Sequence, residues 1–351
     1  MTGLINSYIQ DHSNPWQKGL MNTFQTVGLP TKKSEAYKFT PISSWYEKNW
    51  KSQSKDILEN TFLKKVDSDF AFKFISKFKK EENSLLDLHL SQIKNFYHLE
   101  INEEMDYSLN LQNISQEFSN SSILLDIKSS CNILEISRTL NNSFSQLSVF
   151  INVHTENAQY TTVQDIEEDS FNQSWYFVKT FEKTKNFSLL QYNQSLGSNR
   201  LNPFFEINNE DTTIESHCFY RSNETAKQDI FSEISHLAPN SFSDQTVKGI
   251  LKDKARNVFT GKIYIDKNCA GVDASQFNKN LIFGKTAQAL SQPQLEIYNF
   301  DVKCAHGSTT GQINDDEIFY FMARGIPRKR ATELLLDSYT NEFVEKIRSP
   351  E

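Results

Sequence analysis

Between residues 86 and 312 the chain alternates apolar and polar positions in short bursts. Ile123-Leu-Leu-Asp-Ile, Asn132-Ile-Leu-Glu-Ile, Leu147-Ser-Val-Phe-Ile-Asn-Val and Tyr176-Phe-Val come first. Thr213-Ile-Glu-Ser-His-Cys-Phe-Tyr220 and Asn257-Val-Phe-Thr-Gly-Lys-Ile-Tyr-Ile265 follow. Each burst is rich in β-branched and aromatic residues and predicts a strand. Polar turns of Asn, Ser and Asp separate them, with no amphipathic stretch of crossover length. That excludes a doubly wound sheet and leaves a sandwich, a barrel or a solenoid. Asn tolerates the left-handed conformation that solenoid corners need. No sharp repeat is visible, so periodicity does not choose among the three.

The flanks read differently. Residues 1–85 predict helical and loop material, broken at Gly28-Leu-Pro30 and turned at Thr40-Pro41. Ser34-Glu-Ala-Tyr-Lys-Phe-Thr40 reads as a turn anchored by aromatics. From Lys51 to Glu82 charges alternate with Phe62, Phe70, Phe72 and Phe74, a solvated segment docked by aromatics. In residues 313–351, Asn314-Asp-Asp-Glu suits a helix N-terminus. Gly325-Ile-Pro327 breaks that helix, and a last one carries Ala331, Leu334, Leu335, Tyr339, Phe343 and Ile347 on one stripe. Its basic start, Arg328-Lys-Arg330, is unfavourable for the helix dipole and points to a reason outside the helix.

A chain of 351 residues can bury a large core. A net charge of -7 and a pI near 5.6 argue against a nucleic-acid or anionic-membrane binder. Met1 to Trp16 shows no secretion signal, and no run of ~18 apolar residues spans a membrane. A cytoplasmic chain with reduced thiols is the expectation. The four cysteines, at 131, 218, 269 and 304, have no C-x-x-C spacing, which argues against a zinc ribbon or a thioredoxin-type motif.

The densest chemistry lies in Pro293-Gln-Leu-Glu-Ile-Tyr-Asn-Phe-Asp-Val-Lys-Cys304-Ala-His306-Gly-Ser-Thr-Thr-Gly311. Leu295, Ile297 and Val302 predict a strand that ends at Cys304 and His306, with Gly307 and Gly311 flanking a turn. Two positions apart in extended chain, a thiolate and an imidazole share a face and suit a thiophilic metal. A buried thiol beside a hydrogen-bonded histidine is the alternative. Cys131, Cys218 and Cys269 read as small buried hydrophobes, Cys269 being the one a turn would leave reachable. His236 reads as buried and hydrogen-bonded, and His217 has no partner visible in sequence. Gly284-Lys-Thr286 lacks the leading glycine and the following helix of a phosphate-binding loop, so no nucleotide is expected. Neither a Gly-x-Ser-x-Gly elbow nor a His-Glu-x-x-His motif is present.

Taken together, Pro293-Gln-Leu-Glu-Ile, Asp301-Val-Lys-Cys-x-His-Gly and Thr310-Gly resemble the SufB/SufD family of iron–sulfur cluster assembly proteins. Lys248-Gly-Ile-Leu, Phe259-Thr-Gly-Lys-Ile-Tyr and Asp273-Ala-Ser-Gln-Phe-Asn fit in the same order, as do Phe319-Tyr and Arg324-Gly-Ile downstream. Ser235-His-Leu-Ala-Pro239 and the Ser34–Thr40 element resemble it too, with Tyr37 and Phe39 where the family has tryptophan and tyrosine. Lys-Cys-x-His-Gly places the chain on the SufD side. The resemblance implies a right-handed parallel β-helix core over residues 86–312, between an N-terminal helical region (1–85) and a C-terminal one (313–351). Ile214, Cys218, Phe259, Gly261, Ile263 and Ile265 become candidate core positions. It also implies a non-catalytic scaffold that pairs with a SufB-type subunit through the β-helix core and binds a SufC-type ATPase through the C-terminal helices. A transient iron–sulfur cluster would meet His306 and Cys304 at the SufB–SufD interface, and the complex, not the isolated chain, has room for a flavin. A homodimeric β-helix interaction protein without metal and a β-helix carbohydrate-active enzyme are the alternatives.

Overall fold

The computed structural model describes residues 14–348 apart from 32, 41, 47–50, 53–61, 79–82, 113–116, 284 and 314. It is mainly β, a parallel β-helix of about seven turns flanked by helices at both ends of the chain. Successive strands alternate between two sheets. The first contains Phe96–Ile101, Glu117–Ile127, Phe144–Val153, Phe171–Thr180, Ser198–Ile207, Lys227–His236, Arg256–Ile265 and Gln288–Ile297. The second contains Tyr107–Gln112, Cys131–Thr139, Asn157–Ile166, Asn186–Ser195, Thr213–Ser222, Phe242–Leu251, Val272–Ile282 and Val302–Gln312. Every pairing among these strands is parallel. Lys64–Val66 runs antiparallel to Phe96–His98 and closes the N-terminal rim, with Leu63 against the core.

Alternation explains the core. Ile123, Leu125 and Ile127 face inward on the first sheet and meet Leu109, Ile133 and Tyr160 of the second in one buried cluster. All six candidate core positions from Ile214 to Ile265 are buried. The corners use left-handed residues as expected of Asn, at Asn142 and Asn240, and also at Asp169, Asp211, Glu224 and Asp253.

The interior is not purely apolar. The carboxyl of Glu135 accepts hydrogen bonds from Tyr160 Oη (2.7 Å) and Tyr176 Oη (2.9 Å), which ties the two sheets together. Burial pushes its pKa up to about 7, against the downward pull of the tyrosine hydroxyls. Further along, Asn172, Asn199 and Gln228 bond in sequence across coils at 2.8 and 3.2 Å.

The outer faces explain the 27 phenylalanines. Phe150, Phe177 and Phe204 occupy one register column, and the strand spacing of about 4.8 Å lets their rings stack. The centroids lie 4.8 and 5.0 Å apart with 8° between planes. The N-terminal region covers this face with α1 (Pro15–Val27), α2 (Ser68–Ile75) and α3 (Ser84–Ser91), burying Met21, Phe24, Phe74 and Leu86. Asn14, Asp67 and Asn83 cap these helices. The expected solvated segment is therefore half right: Phe62, Phe70 and Phe72 are exposed, but Phe74 belongs to the core because α2 turns it toward the sheet.

The aromatic-anchored turn at Ser34–Thr40 is pinned from below. Arg200 is fully buried, pairs with Asp229, donates to Ala36 O (2.8 Å) and sits 4.0 Å from the Tyr37 ring centroid. A guanidinium can be held in such a place because its donors and flat face are both engaged.

α4 (Asp315–Met322) and α5 (Arg328–Arg348) follow the last strand, with Gly325 left-handed between them. Asn314, read as a cap, lies outside the described residues. α5 lies on the outer face of the second sheet, where Leu336 and Phe343 join Leu190, Phe219 and Ile250. The stripe is thus shifted in part: Ala331 and Phe343 are buried as expected, but Leu336 is buried in place of Leu334 and Leu335, which are half-buried. The Ile347 side chain lies outside the described ones. The basic start of α5 also has local partners, Arg328 to Asp315 (2.6 Å) and Arg330 to Glu333 (3.3 Å), which account for part of it without an external one.

Candidate functional site

The last coil is the place where the β-helix stops without a cover. Among the described residues Val302–Gln312 pairs on one edge only, with Val272–Ile282, and Gln288–Ile297 only with Arg256–Ile265. Both strands therefore leave a row of backbone donors and acceptors free to pair with another chain. The turn between them carries Ile297, Tyr298 and a fully exposed Phe300.

The predicted single strand is in fact two. Pro293 lies in the middle of one strand of the first sheet, and Cys304 and His306 lie within the next, in the second sheet. The turn Tyr298–Asp301 has neither Gly nor Pro. Asn299 makes it instead, its Oδ1 accepting Asp301 N (2.9 Å) and its Nδ2 donating to Lys267 O (2.8 Å). Gly307 and Gly311 are likewise inside the strand and flank no turn.

Alternation places Val302, Cys304 and His306 on the interior-facing side. Val302 and Cys304 pack, half-buried, on the end cluster of Ile263, Ile265, Cys269, Val272 and Ala274. Burial first, and Asp273 second, hold the Cys304 thiol above its ordinary pKa, so it is protonated at neutral pH in the isolated chain. His306 has the same parity but is exposed, because no further coil lies above it. Among the described residues no three His, Cys, Asp or Glu side chains are grouped to hold a metal. Cys304 and His306 adjoin as a thiol and an exposed imidazole on one strand face.

Directly beneath His306 in register is Gln276, fully buried, whose Nε2 donates to Gln245 Oε1 (2.7 Å). Gln276 falls within Asp273-Ala-Ser-Gln-Phe-Asn, where sequence reasoning assigns it no role. The signal was there: a glutamine at an inward strand position, where an apolar residue is the default.

The other candidates resolve into structure. His236 is buried between two hydroxyls, Ser241 Oγ (2.7 Å) and Ser243 Oγ (2.9 Å), and burial lowers its pKa to about 4. His217 is buried within 3.9 Å of Glu215 and 3.8 Å of Asp244. Cys131 and Cys218 are buried, with pKa values pushed up to about 12. Cys269, expected to be reachable at a turn, is not: its side chain folds inward, and Sγ contacts His236 O at 3.4 Å. Gly284 lies outside the described residues. Thr286 Oγ1, however, donates to Asp253 O (2.6 Å), and a strand, not a helix, begins at Gln288.

A second surface lies on α4. Phe319 is 69% exposed and Tyr320 57%, with Met322 also open and the Arg324 guanidinium 3.4 Å from the Tyr320 ring centroid. No helix among the described residues is long and apolar enough to cross a membrane.

Comparison with known proteins completes the picture. The family described as "SUF system FeS cluster assembly, SufBD core domain" matches residues 107–339. The iron–sulfur cluster assembly protein SufD of Escherichia coli is 34% identical over 149 residues, 42% of this chain and 35% of that protein. An iron–sulfur cluster assembly SufBD family protein of Synechocystis is 28% identical over 194 residues, 55% of this chain and 43% of the relative. Protein ABCI7, chloroplastic, of Arabidopsis thaliana is 28% identical over 174 residues, 49% of this chain and 36% of the relative. The matches thus span less than half the length of these curated relatives.

Proposed function

The chain belongs to the SufBD core family of the SUF iron–sulfur cluster assembly system, with SufD-like character, and from that footing we propose that it is a scaffold subunit on which a cluster is assembled and then released. The uncovered last coil pairs with a SufB-type subunit, and the C-terminal helices bind a SufC-type ATPase. The cluster is cargo. His306 takes one of its irons at the interface, and Cys304 can join once a bound metal lowers the pKa of its thiol. A scaffold that must hand its cluster on is served by few and partly labile ligands, which is what one exposed imidazole and one half-buried thiol supply. The chain itself does no catalysis in this reading, and it works in a reducing compartment such as the cytoplasm, although the Arabidopsis relative is chloroplastic by name.

One observation carries this reading: an exposed histidine on the free edge strand of an uncapped β-helix. The test is anaerobic co-purification of wild-type and His306→Ala chains with the SufB-type partner, with iron, sulfide and melting temperature measured on each. An exposed residue costs within about ±0.5 kcal/mol when replaced, so the melt and the complex should stay while iron and sulfide drop. Full iron in the variant overturns the ligand role, and a large fall in melting temperature assigns His306 to the fold.

A further inference from the structure

We propose that Gln276 is a positioning residue for His306, its side-chain carbonyl accepting the imidazole N–H when the other ring nitrogen holds iron. The proposal rests on the ligand reading of His306 and adds the residue that would orient it. Gln276 is fully buried one coil below His306 in direct register, so the two side chains stand about 4.8 Å apart at their strands. Its amide has little freedom. Nε2 is engaged by Gln245 Oε1 at 2.7 Å, and the group crosses the interior to lie against Gly261, where a Cβ would come 2.8 Å from Gln276 Cδ. Oε1 is buried and has no hydrogen-bond partner among the described residues. A buried acceptor left open is costly and calls for a reason.

The direction of the bonds supplies one. Gln276 donates to Gln245, and Gln245 in turn donates to Ser232 Oγ. The donated bonds run from Gln276 to Gln245 to Ser232, away from the last coil, and leave Gln276 Oε1 as the unpaired end of the series. Hydrogen bonds aligned in this way polarise one another and make the terminal oxygen a stronger acceptor. A neutral imidazole bound to a metal through one nitrogen has a single N–H left on the other, and metal-binding histidines regularly give that proton to a carbonyl or carboxylate. Gln276 Oε1 is an acceptor with nothing else to accept. Engaging it would fix the tautomer and the ring plane of His306 and direct the free nitrogen outward.

The test uses the complex with the SufB-type partner, prepared anaerobically, carrying Gln276→Met, Gln276→Glu or His306→Ala. Iron loss to an excess of a ferrous chelator is timed. In parallel, the His306 side-chain N–H is followed by histidine-¹⁵N NMR in the zinc-loaded complex. Gln276→Met keeps the shape and deletes the acceptor. It should speed iron loss about ten-fold or more and remove the slowly exchanging imidazole N–H, beyond what the fall in melting temperature from the unpaired Gln245 Oε1 explains. Gln276→Glu restores an acceptor and should return both readouts toward wild type. If His306→Ala sheds its iron but Gln276→Met keeps wild-type retention and an unchanged N–H signal, the positioning role is wrong and the ligand role stands. If His306→Ala retains full iron, both fall together. A Gln276→Met chain that loses iron only in step with a lowered melting temperature, with no rescue by Gln276→Glu, assigns the residue to packing and also overturns the proposal.

Discussion

The ring of Tyr220 lies across Gly249, its register partner in the next coil, and its hydroxyl donates to Asn280 in the coil beyond. A Cβ built on Gly249 would fall inside that ring. The glycine is thus required for its missing side chain, which lets one tyrosine bridge three coils in the interior. Gly249→Ala should destabilise the fold by about 1–3 kcal/mol or more through overpacking. Urea unfolding of the single variants and of Gly249→Ala/Tyr220→Ala decides the cause. A coupling of at least about 1 kcal/mol is expected for groups in contact, and strict additivity would show that the ring moves aside freely.

Glu135 gives a pH dependence whose sign can be worked out. Its pKa in the folded chain is about 7, above the ordinary carboxylate value of about 4.3. Between those two values the unfolded chain has lost this proton and the folded one still holds it, so stability falls as pH rises from about 4.3 to 7. The loss totals roughly 4 kcal/mol at 1.36 per unit. His236, at about 4, and His89, at about 3, act oppositely, because their folded forms resist protonation and lose stability as pH falls below about 6.5. The difference between wild type and Glu135→Gln isolates the carboxyl. The variant should gain on wild type as pH climbs from 5 to 8, and parallel curves would exclude the assignment.

The exposed face of α4 separates docking from folding. Phe319→Ser and Tyr320→Ser touch residues open to solvent and should leave the melt within a few degrees while abolishing pull-down of the SufC-type ATPase. Phe343→Ala, in contrast, empties a buried position under α5 and should cost about 3–5 kcal/mol. Retention of the ATPase by the double α4 variant would move the docking site elsewhere.

Titration of the full chain with Mg-ATP should give no heat of binding. Thr286 is spent on Asp253 and the next residues enter a strand, so no helix follows the segment to present its N-terminus. Micromolar affinity would show that a phosphate site had been overlooked.

Most of the strands were legible because alternation survives even where the fold is unusual: Thr213–Tyr220 and Asn257–Ile265 sit inside strands of the two sheets. The repeat was hidden for a physical reason. The step between coils is 29 residues at Asn157–Asn186, 27 at Ser188–Glu215 and 31 at Gln245–Gln276, since corners vary while strands stay in register. Inward Gln and Asn residues blurred the pattern further. At the site, Cys304 and His306 stood out by chemical type. The break before them did not, because an Asx turn at Asn299 replaced the usual glycine or proline. Their unequal exposure was also beyond the sequence, since both have one parity and only the absence of a next coil distinguishes them.

The two ends of the β-helix are unlike. Among the described residues, the antiparallel Lys64–Val66 closes the first sheet at the N-terminal end and Phe62 covers Tyr107 on the second, whereas no strand lies beyond the last coil at the bare C-terminal end. A bare end cannot stack on a closed one, so head-to-tail growth of the kind that builds filaments has no second contact to use. Only another bare end can meet it, and that meeting consumes both. An assembly through this edge would end at a pair, so a partner seated there would also keep the chain from polymerising.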